Sequence, residues 1–125
     1  MEEIFITRKY LSEHPEEIFV FGDNKLRRGS GGAAKLRDMP NVYGFITKKV
    51  PSHDPESYYR PREYKRIYDQ EVKKLQKKLT DMPETTFLIT KLGGGLANKY
   101  KIFQKIIEPR IKEDLKDYSN VKFLW

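Results

Sequence analysis

Three short runs of apolar and β-branched residues lie along this chain, and each of them stops at a polar or glycine-containing loop. The runs are Ile18–Gly22, Val42–Thr47 and Thr86–Thr90. Continuous apolar runs of this length are typical of strands that are buried on both faces, as in a parallel sheet covered by helices. The chain is therefore constrained to place a sheet inside the fold, with its loops gathered at the strand ends.

The segments between and after these runs have helical periodicity. Apolar side chains at helical spacing predict an amphipathic helix over Arg62–Leu79. A second helical region is predicted over Lys101–Tyr118, and Pro109 must kink or divide it because proline has no backbone N–H to donate. Strands that alternate with helices are typical of an α/β fold with a mostly parallel sheet. The remaining elements are predicted as a strand at Ile4–Thr7, a short helix at Ala33–Asp38, a loop at Pro51–Pro61 and a closing strand at Val121–Trp125.

Length and composition bound the possible classes of protein. With 125 residues the chain is long enough for one core, so we expect a single domain over residues 1–125. Without cysteine there is no disulfide framework or thiolate zinc site, and two histidines leave little for any metal, so we expect neither metal nor cofactor. No apolar run is long enough for a membrane span, and the first residues do not resemble a secretory signal. We therefore expect a cytoplasmic protein with no membrane partner.

The charge balance points to an anionic partner. Lysine and arginine outnumber aspartate and glutamate by 25 to 18, which gives a formal net charge of +7. An excess of this size favours a nucleotide, a nucleic acid or a phosphorylated metabolite as partner, without deciding among them.

The first candidate ligand loop is Gly22–Gly32, between a predicted strand and a predicted helix. Its glycines let backbone N–H groups approach an anion closely, and a helix N-terminus adds partial positive charge. The loop has neither the Gly-Lys-Ser/Thr of a Walker loop nor the glycine spacing of a dinucleotide fold. A flexible turn would have the same composition, so this loop alone leaves both interpretations open.

A second glycine loop, Gly93–Gly95, also follows a predicted strand and precedes a predicted helix. Three successive glycines lose much conformational entropy when they are ordered, and a plain turn rarely needs them. In parallel sheets both loops lie at the carboxyl ends of strands, where α/β folds bind ligands. We therefore expect a diphosphate between the two loops, held by backbone N–H groups.

Two lysines occupy equivalent positions, because Lys48 follows Thr47 and Lys91 follows Thr90, each at the end of a predicted strand. Both lysines should reach the rim of the ligand site, although a solvated lysine after a strand would look the same. If Lys48 is partly buried, its amine could act as a nucleophile.

Asp23 and Asn24 follow the first strand of the candidate site. Such a pair either caps a turn through its own backbone or contacts the ligand. In the second interpretation Asn24 donates hydrogen bonds to a ribose, and Asp23 is an acceptor or a general base. His53 is a lone loop histidine, which we interpret as a surface residue.

A nucleic-acid-binding surface is the rival interpretation of the positive charge. Tyr58, Tyr59, Arg60 and Arg62 could stack on bases and pair with phosphates. The basic side chains of the predicted helix that follows, within Arg62–Lys78, could instead simply face solvent.

At these loops the chain resembles the macro domain family, which binds ADP-ribose. Val20–Ala33 is similar to the family's first ligand loop, and Gly93–Ala97 resembles its second loop, which wraps the diphosphate. Ile46–Lys49 followed by Ser52-His53 is most similar to the terminal ADP-ribose protein glycohydrolase branch, and compact phage and bacterial macro-like proteins have similar loops. The resemblance covers most of the chain, from about residue 4 to residue 125.

The resemblance implies a three-layer α/β/α macro-like domain with a mixed, mostly parallel central sheet. It also implies that Lys48 is the lysine that attacks the anomeric carbon in that branch. Ala97 stands where the branch has its catalytic aspartate, and Arg8-Lys9 lie near the expected position of an adenine-binding aspartate. These departures favour binding over catalysis, and Asp23 is the candidate to replace the missing carboxylate.

We therefore expect the protein to bind ADP-ribose or a related nucleotide, either free or attached to a modified protein or nucleic acid. A further expected activity is hydrolysis that removes ADP-ribose from such a modified macromolecule or from a metabolite derived from ADP-ribose. The alternatives are a non-catalytic ADP-ribose reader and a small basic nucleic-acid-binding protein; a phage-encoded chain would act in the host cytoplasm. The catalytic candidates are Lys48 and Asp23. The candidate ligand-binding residues are Gly22, Asp23, Asn24, Arg28, Gly29, Ser30, Gly31, Gly32, Ala33, Thr47, Lys48, Lys91, Gly93, Gly94, Gly95, Leu96 and Ala97.

Overall fold

The computed structural model describes residues 3–125 of the chain. Its helices and strands alternate, as the sequence predicts. In chain order they are α1 (Arg8–Glu13), β1 (Glu17–Asn24), a 3₁₀ helix (Gly32–Leu36), β2 (Val42–Lys48), a 3₁₀ turn (Pro55–Ser57), α2 (Pro61–Asp81), β3 (Thr86–Ile89), a π-helical turn (Phe103–Ile107), α3 (Ile111–Asp114) and β4 (Val121–Phe123).

The four strands form one sheet in the order β2-β1-β3-β4, and every neighbouring pair is parallel. The α/β class is thus confirmed, whereas the expected mixed sheet is wrong for residues 3–125. The reason is that each connection crosses back along the sheet before the next strand begins, as α2 does between β2 and β3. An antiparallel contact occurs as an isolated bridge between Lys48 and Tyr58. The chain moves from β1 to β2 on one side and then to β3 on the other, which places a topological switch point between β1 and β3.

The predictions for Ile4–Thr7 and Ala33–Asp38 differ from the structure in the type of element. Ile4–Thr7 is not a strand: Ile4 N–H donates to the Leu124 carbonyl at 2.6 Å, and Thr7 then caps α1, its hydroxyl accepting from Tyr10 N–H. The short helix predicted at Ala33–Asp38 is a 3₁₀ helix that begins one residue earlier and ends at Leu36.

The last helical region is divided at Pro109, as predicted. Before the proline the backbone widens into a π-helical turn, in which Glu108 N–H donates to the Phe103 carbonyl at 2.7 Å. After it the short helix α3 begins at Ile111. The proline ends the first segment because it offers no N–H to continue the helix.

Successive strand residues point to opposite faces of the sheet, and both faces are covered by apolar side chains. On one face Val20, Phe45 and Phe87 pack with α2, whose apolar side is buried as its periodicity predicts. On the other face Phe19 and Phe21 pack against α1 and the 3₁₀ helix. Burial on both faces explains why the strand sequences are continuously apolar. Within residues 3–125 no helix combines the length and the apolar character needed to cross a membrane.

Two side chains of α2 hold the carboxyl end of β2, which is an edge strand. Glu71 is 4% exposed, and its Oε1 accepts a hydrogen bond from Ile46 N–H at 2.7 Å. The Tyr64 hydroxyl donates to the carbonyl of the same residue, Ile46. The backbone groups that an edge strand leaves unpaired are thus satisfied here inside the protein. These bonds fix the position of the backbone directly before Thr47 and Lys48.

We expect Glu71→Ala to lower the free energy of unfolding by about 2–3 kcal/mol, because it leaves the buried Ile46 N–H without an acceptor. Glu71→Gln keeps an acceptor oxygen at the same place and should lose less. Urea denaturation of the three proteins measures the difference. Equal stability of wild type and Glu71→Ala would contradict the role assigned to this carboxylate.

Candidate functional site

A cleft of about 690 Å³ opens at the carboxyl ends of the strands, where the topological switch point lies. This volume is in the range of small-molecule sites, about 300–1,000 Å³. The loops that follow β1, β2 and β3 all contribute to its wall. The structure brings every predicted ligand-binding residue into this wall except Gly94.

The three loops pack against one another through side chains that lie on glycines. Leu96, from the loop after β3, covers the first glycine loop, so that a Cβ built on Gly31 would lie 3.0 Å from its Cδ1. Gly29 has a φ of +99°, and a Cβ there would lie 2.9 Å from Pro51 Cβ. Larger residues would therefore separate the loops, and Gly29 also needs a backbone conformation that other residues rarely adopt.

The three glycines of the second loop differ in their surroundings. Gly93 has a φ of +75°, and a Cβ there would clash with Ile107 at 2.7 Å. A Cβ on Gly94 would meet the aliphatic stem of Lys91 at 2.8 Å, and Gly94 does not line the cleft. A Cβ on Gly95 would meet nothing within 4 Å, although Gly95 does line the cleft. The first two glycines thus shape the loop, and the third leaves the cleft open.

Two stretches of backbone in the cleft wall present unpaired N–H groups. Within residues 3–125, the amides of Gly29–Ala33 donate to no protein acceptor, and neither do those of Gly95–Ala97. Successive free amides in glycine-rich loops form concave anion sites. The two stretches line one cleft, so an anion with two charged groups could contact both.

Basic side chains outnumber acidic ones in the cleft wall. Arg28, Lys35, Lys48 and Lys91 line it, and in the described part of the chain none of the four forms an ion pair. The Lys48 Nζ lies 4.5 Å from the centre of the Tyr58 ring, in the geometry of a cation–π contact. Lys48 is half-buried, which is the condition that the sequence analysis set for a reactive amine.

Asp23 lines the cleft but its carboxylate is occupied by donors. The side chain is 2% exposed; Oδ1 accepts from Arg37 Nη1 at 2.6 Å and from Asn24 N–H at 2.7 Å, and Oδ2 lies 3.3 Å from Arg27 Nη1. Sequence reasoning missed both arginines, because neither lies beside Asp23 in the chain. This geometry favours a structural role for Asp23 in joining β1 to its loop over the predicted role as a general base.

Asn24 is engaged in the turn itself. Its Nδ2 donates to the Arg28 carbonyl at 2.5 Å, and its Oδ1 accepts from Leu26 N–H at 3.0 Å. Of the two interpretations offered by the sequence, turn capping is the one that these bonds match.

The cleft also contains residues that the sequence analysis did not select as ligand contacts. Phe5 lines the cleft and is 77% exposed, which is unusual for a large aromatic side chain. His53, interpreted as a surface residue, is exposed and also lines the wall. Nothing in the sequence marked Phe5, because its position depends on how the segment before α1 packs against distant residues, as in the hydrogen bond from Ile4 N–H to the Leu124 carbonyl. Further lining residues that were missed are Glu3, Ile6, Phe19, Ala34, Lys35, Pro51 and Thr90.

A family model matches residues 1–119 of the chain. The chain belongs to DUF7831, a family of unknown function. No curated protein and no solved structure matches it. The resemblance of this DUF7831 chain to macro domains therefore stays a prediction, carried by the loops described above.

We expect Asp23→Ala to lower the free energy of unfolding by about 3 kcal/mol, since it leaves the half-buried Arg37 without its partner. Asp38→Ala is the matched control: its ion pair with Arg8 is exposed to solvent, so the variant should lose far less stability than Asp23→Ala. Chemical denaturation of both variants gives the comparison. Similar losses in the two proteins would show that the Asp23 cluster does not hold the loop.

Proposed function

We propose that the cleft binds ADP-ribose or a related nucleoside diphosphate. The observation that carries this proposal is the pair of unpaired amide runs, Gly29–Ala33 and Gly95–Ala97, in the wall of one cleft. A diphosphate between them would accept hydrogen bonds from both loops. Arg28 and Lys91, which have no ion-pair partner within residues 3–125, would add positive charge.

The rest of the cleft suits the remaining parts of such a ligand. Phe5, Ile6 and Phe19 form an apolar portion of the wall, and the ring of Phe5 is free to stack on a planar base. Glu3 lies in the same wall and can accept a hydrogen bond from a base amino group. Apolar walls with a few polar groups are typical of cofactor and nucleotide sites.

The arrangement of the fold supports a macro-like architecture. One sheet with an apolar cluster on each face is compatible with three α/β/α layers. The absence of cysteine from the sequence fits an activity in a reducing cytoplasm, of the host if the chain is phage-encoded.

Isothermal titration with ADP-ribose should show micromolar binding, with AMP weaker because it lacks the second phosphate. Gly95→Glu should weaken ADP-ribose binding at least 100-fold, since it adds a negative charge where a Cβ has open space. Gly95→Gln is the matched control of equal size, and its loss should be clearly smaller. Equal binding by wild type and Gly95→Glu would place the diphosphate elsewhere.

A second candidate function is hydrolysis of an ADP-ribose linkage, and the position of Lys48 favours it. Its amine lines the cleft, is half-buried and has no carboxylate partner among the described residues. The amine would lose a proton to water and attack the anomeric carbon, and the bond from that carbon to the modified group would break. The leaving group would take the electron pair of that bond and a proton returned by water. A second water would then attack the same carbon and break its bond to the lysine nitrogen, which would take the electron pair and a proton, so that ADP-ribose is released and Lys48 is restored. If the protein lacks this activity, the same site would bind ADP-ribose without a reaction, as a non-catalytic reader does.

Lys48→Ala should abolish release of ADP-ribose from modified protein or oligonucleotide while it retains most of the affinity for ADP-ribose. Lys91→Ala, at the equivalent position after β3, should do the reverse and weaken binding without stopping the chemistry. Chromatographic detection of released ADP-ribose gives the rate, and calorimetry gives the affinity. Unchanged turnover in Lys48→Ala would exclude the lysine mechanism, and no release by wild type would leave the reader function.

A further inference from the structure

A second cavity, separate from the cleft, lies beside the first two turns of α2. Its volume is about 590 Å³, and none of its lining residues lines the cleft. The charged and polar residues of its wall are Lys25, Lys49, Tyr59, Arg62, Glu63 and Arg66.

The wall of this cavity has four cationic side chains and one carboxylate. The carboxylate is already neutralised, because Glu63 Oε2 lies 2.8 Å from Lys49 Nζ, and this hydrogen bond lowers the pKa of the Glu63 carboxyl. Within residues 3–125, Lys25, Arg62 and Arg66 have no acidic partner. The cavity thus retains uncompensated positive charge.

The wall of this cavity also includes Tyr59, whose hydroxyl has no hydrogen-bond partner among the described residues. The residue is 4% exposed, and its hydroxyl is buried without a partner in the described chain. Buried hydroxyls are almost always hydrogen-bonded, so a single one left unpaired beside a basic cavity points to an acceptor that binds there. Burial raises the pKa of Tyr59, so the hydroxyl keeps its proton and can donate.

We propose that this cavity is a phosphate-binding site, in which Arg62 and Arg66 pair with the anion and the Tyr59 hydroxyl completes its coordination. The two arginines are four residues apart and therefore lie on one face of α2. Guanidinium groups bind phosphate through paired hydrogen bonds. The phosphate comes either from a small phosphorylated compound or from the backbone of a nucleic-acid strand. The site does not depend on what the cleft binds.

The two sites are neighbours across the end of β2. Lys48 lines the cleft, and the next residue, Lys49, lines the second cavity. Tyr58 and Tyr59 repeat this division, because Tyr58 contacts Lys48 and Tyr59 contacts Lys49. A nucleic-acid strand whose phosphate is bound in the second cavity would therefore pass close to the cleft.

The test is a ¹⁵N NMR titration of the whole chain, first with inorganic phosphate and then with a ten-nucleotide oligothymidylate. Phosphate should change the chemical shifts of the backbone amides of Tyr59, Arg62 and Arg66. The chemical shifts of the Gly31 and Gly95 amides should stay unchanged. Tyr59→Phe should weaken phosphate binding at least fivefold, and the double variant Arg62→Gln/Arg66→Gln at least tenfold. The double variant Lys73→Gln/Lys105→Gln removes the same charge from exposed positions outside the cavity and should bind as wild type does.

Thermal unfolding without phosphate is the folding control, and Tyr59→Phe should unfold at the same temperature as wild type or above it. Tighter binding of the oligonucleotide than of inorganic phosphate, lost in the same variants, would support the site with a strand as the source. Equal or weaker binding of the oligonucleotide would support it with a small phosphorylated compound. The proposal is contradicted if neither probe changes the chemical shifts of these amides, or if Tyr59→Phe binds phosphate as well as wild type does.

An ADP-ribose titration followed at Gly31 and Gly95 reports on the cleft independently. Failure at the second cavity with binding at the cleft would reject this inference alone, and the opposite result would reject the function proposed for the cleft.

Discussion

The carboxyl end of β2 is held from outside the sheet, and the arrangement of the site depends on it. β2 pairs with β1 on one side only, so its other edge would present unpaired backbone groups in a buried region. Glu71 and Tyr64 of α2 satisfy both backbone groups of Ile46. The strand end is thereby fixed between β1 and α2. Lys48 and Lys49 leave it on different sides and reach two separate cavities.

The glycine loops owe their free amides to contacts made by side chains. A loop can keep successive N–H groups unpaired only if something else holds its backbone in place. Here Leu96 lies over Gly31, Pro51 lies on Gly29, and Asn24 bonds the turn that begins the first loop. The buried carboxylate of Asp23 adds bonds to Arg27 and Arg37. Side chains thus take over the structural role, and the backbone donors remain available to a ligand.

Parallel topology brings positive charge to the cleft. The strands end at one edge of the sheet, where Arg28, Lys48 and Lys91 line the cleft. Cationic side chains around a cleft draw anions toward it and raise the rate at which they arrive.

The sequence by itself determined the class of fold and the edge of the sheet where the loops form a cleft, because both follow from local patterns. Apolar runs that end in glycine loops are sufficient to predict buried parallel strands, and parallel strands bring their following loops to one edge. Sequence could not give the partners of Asp23, the position of Phe5 in the cleft wall, or the unpaired hydroxyl of Tyr59. It also predicted a strand at Ile4–Thr7, where the structure has no strand and Ile4 N–H instead donates to the distant Leu124 carbonyl. These features were decided by the tertiary structure, because they depend on contacts between segments distant in the chain, and no local periodicity records such contacts.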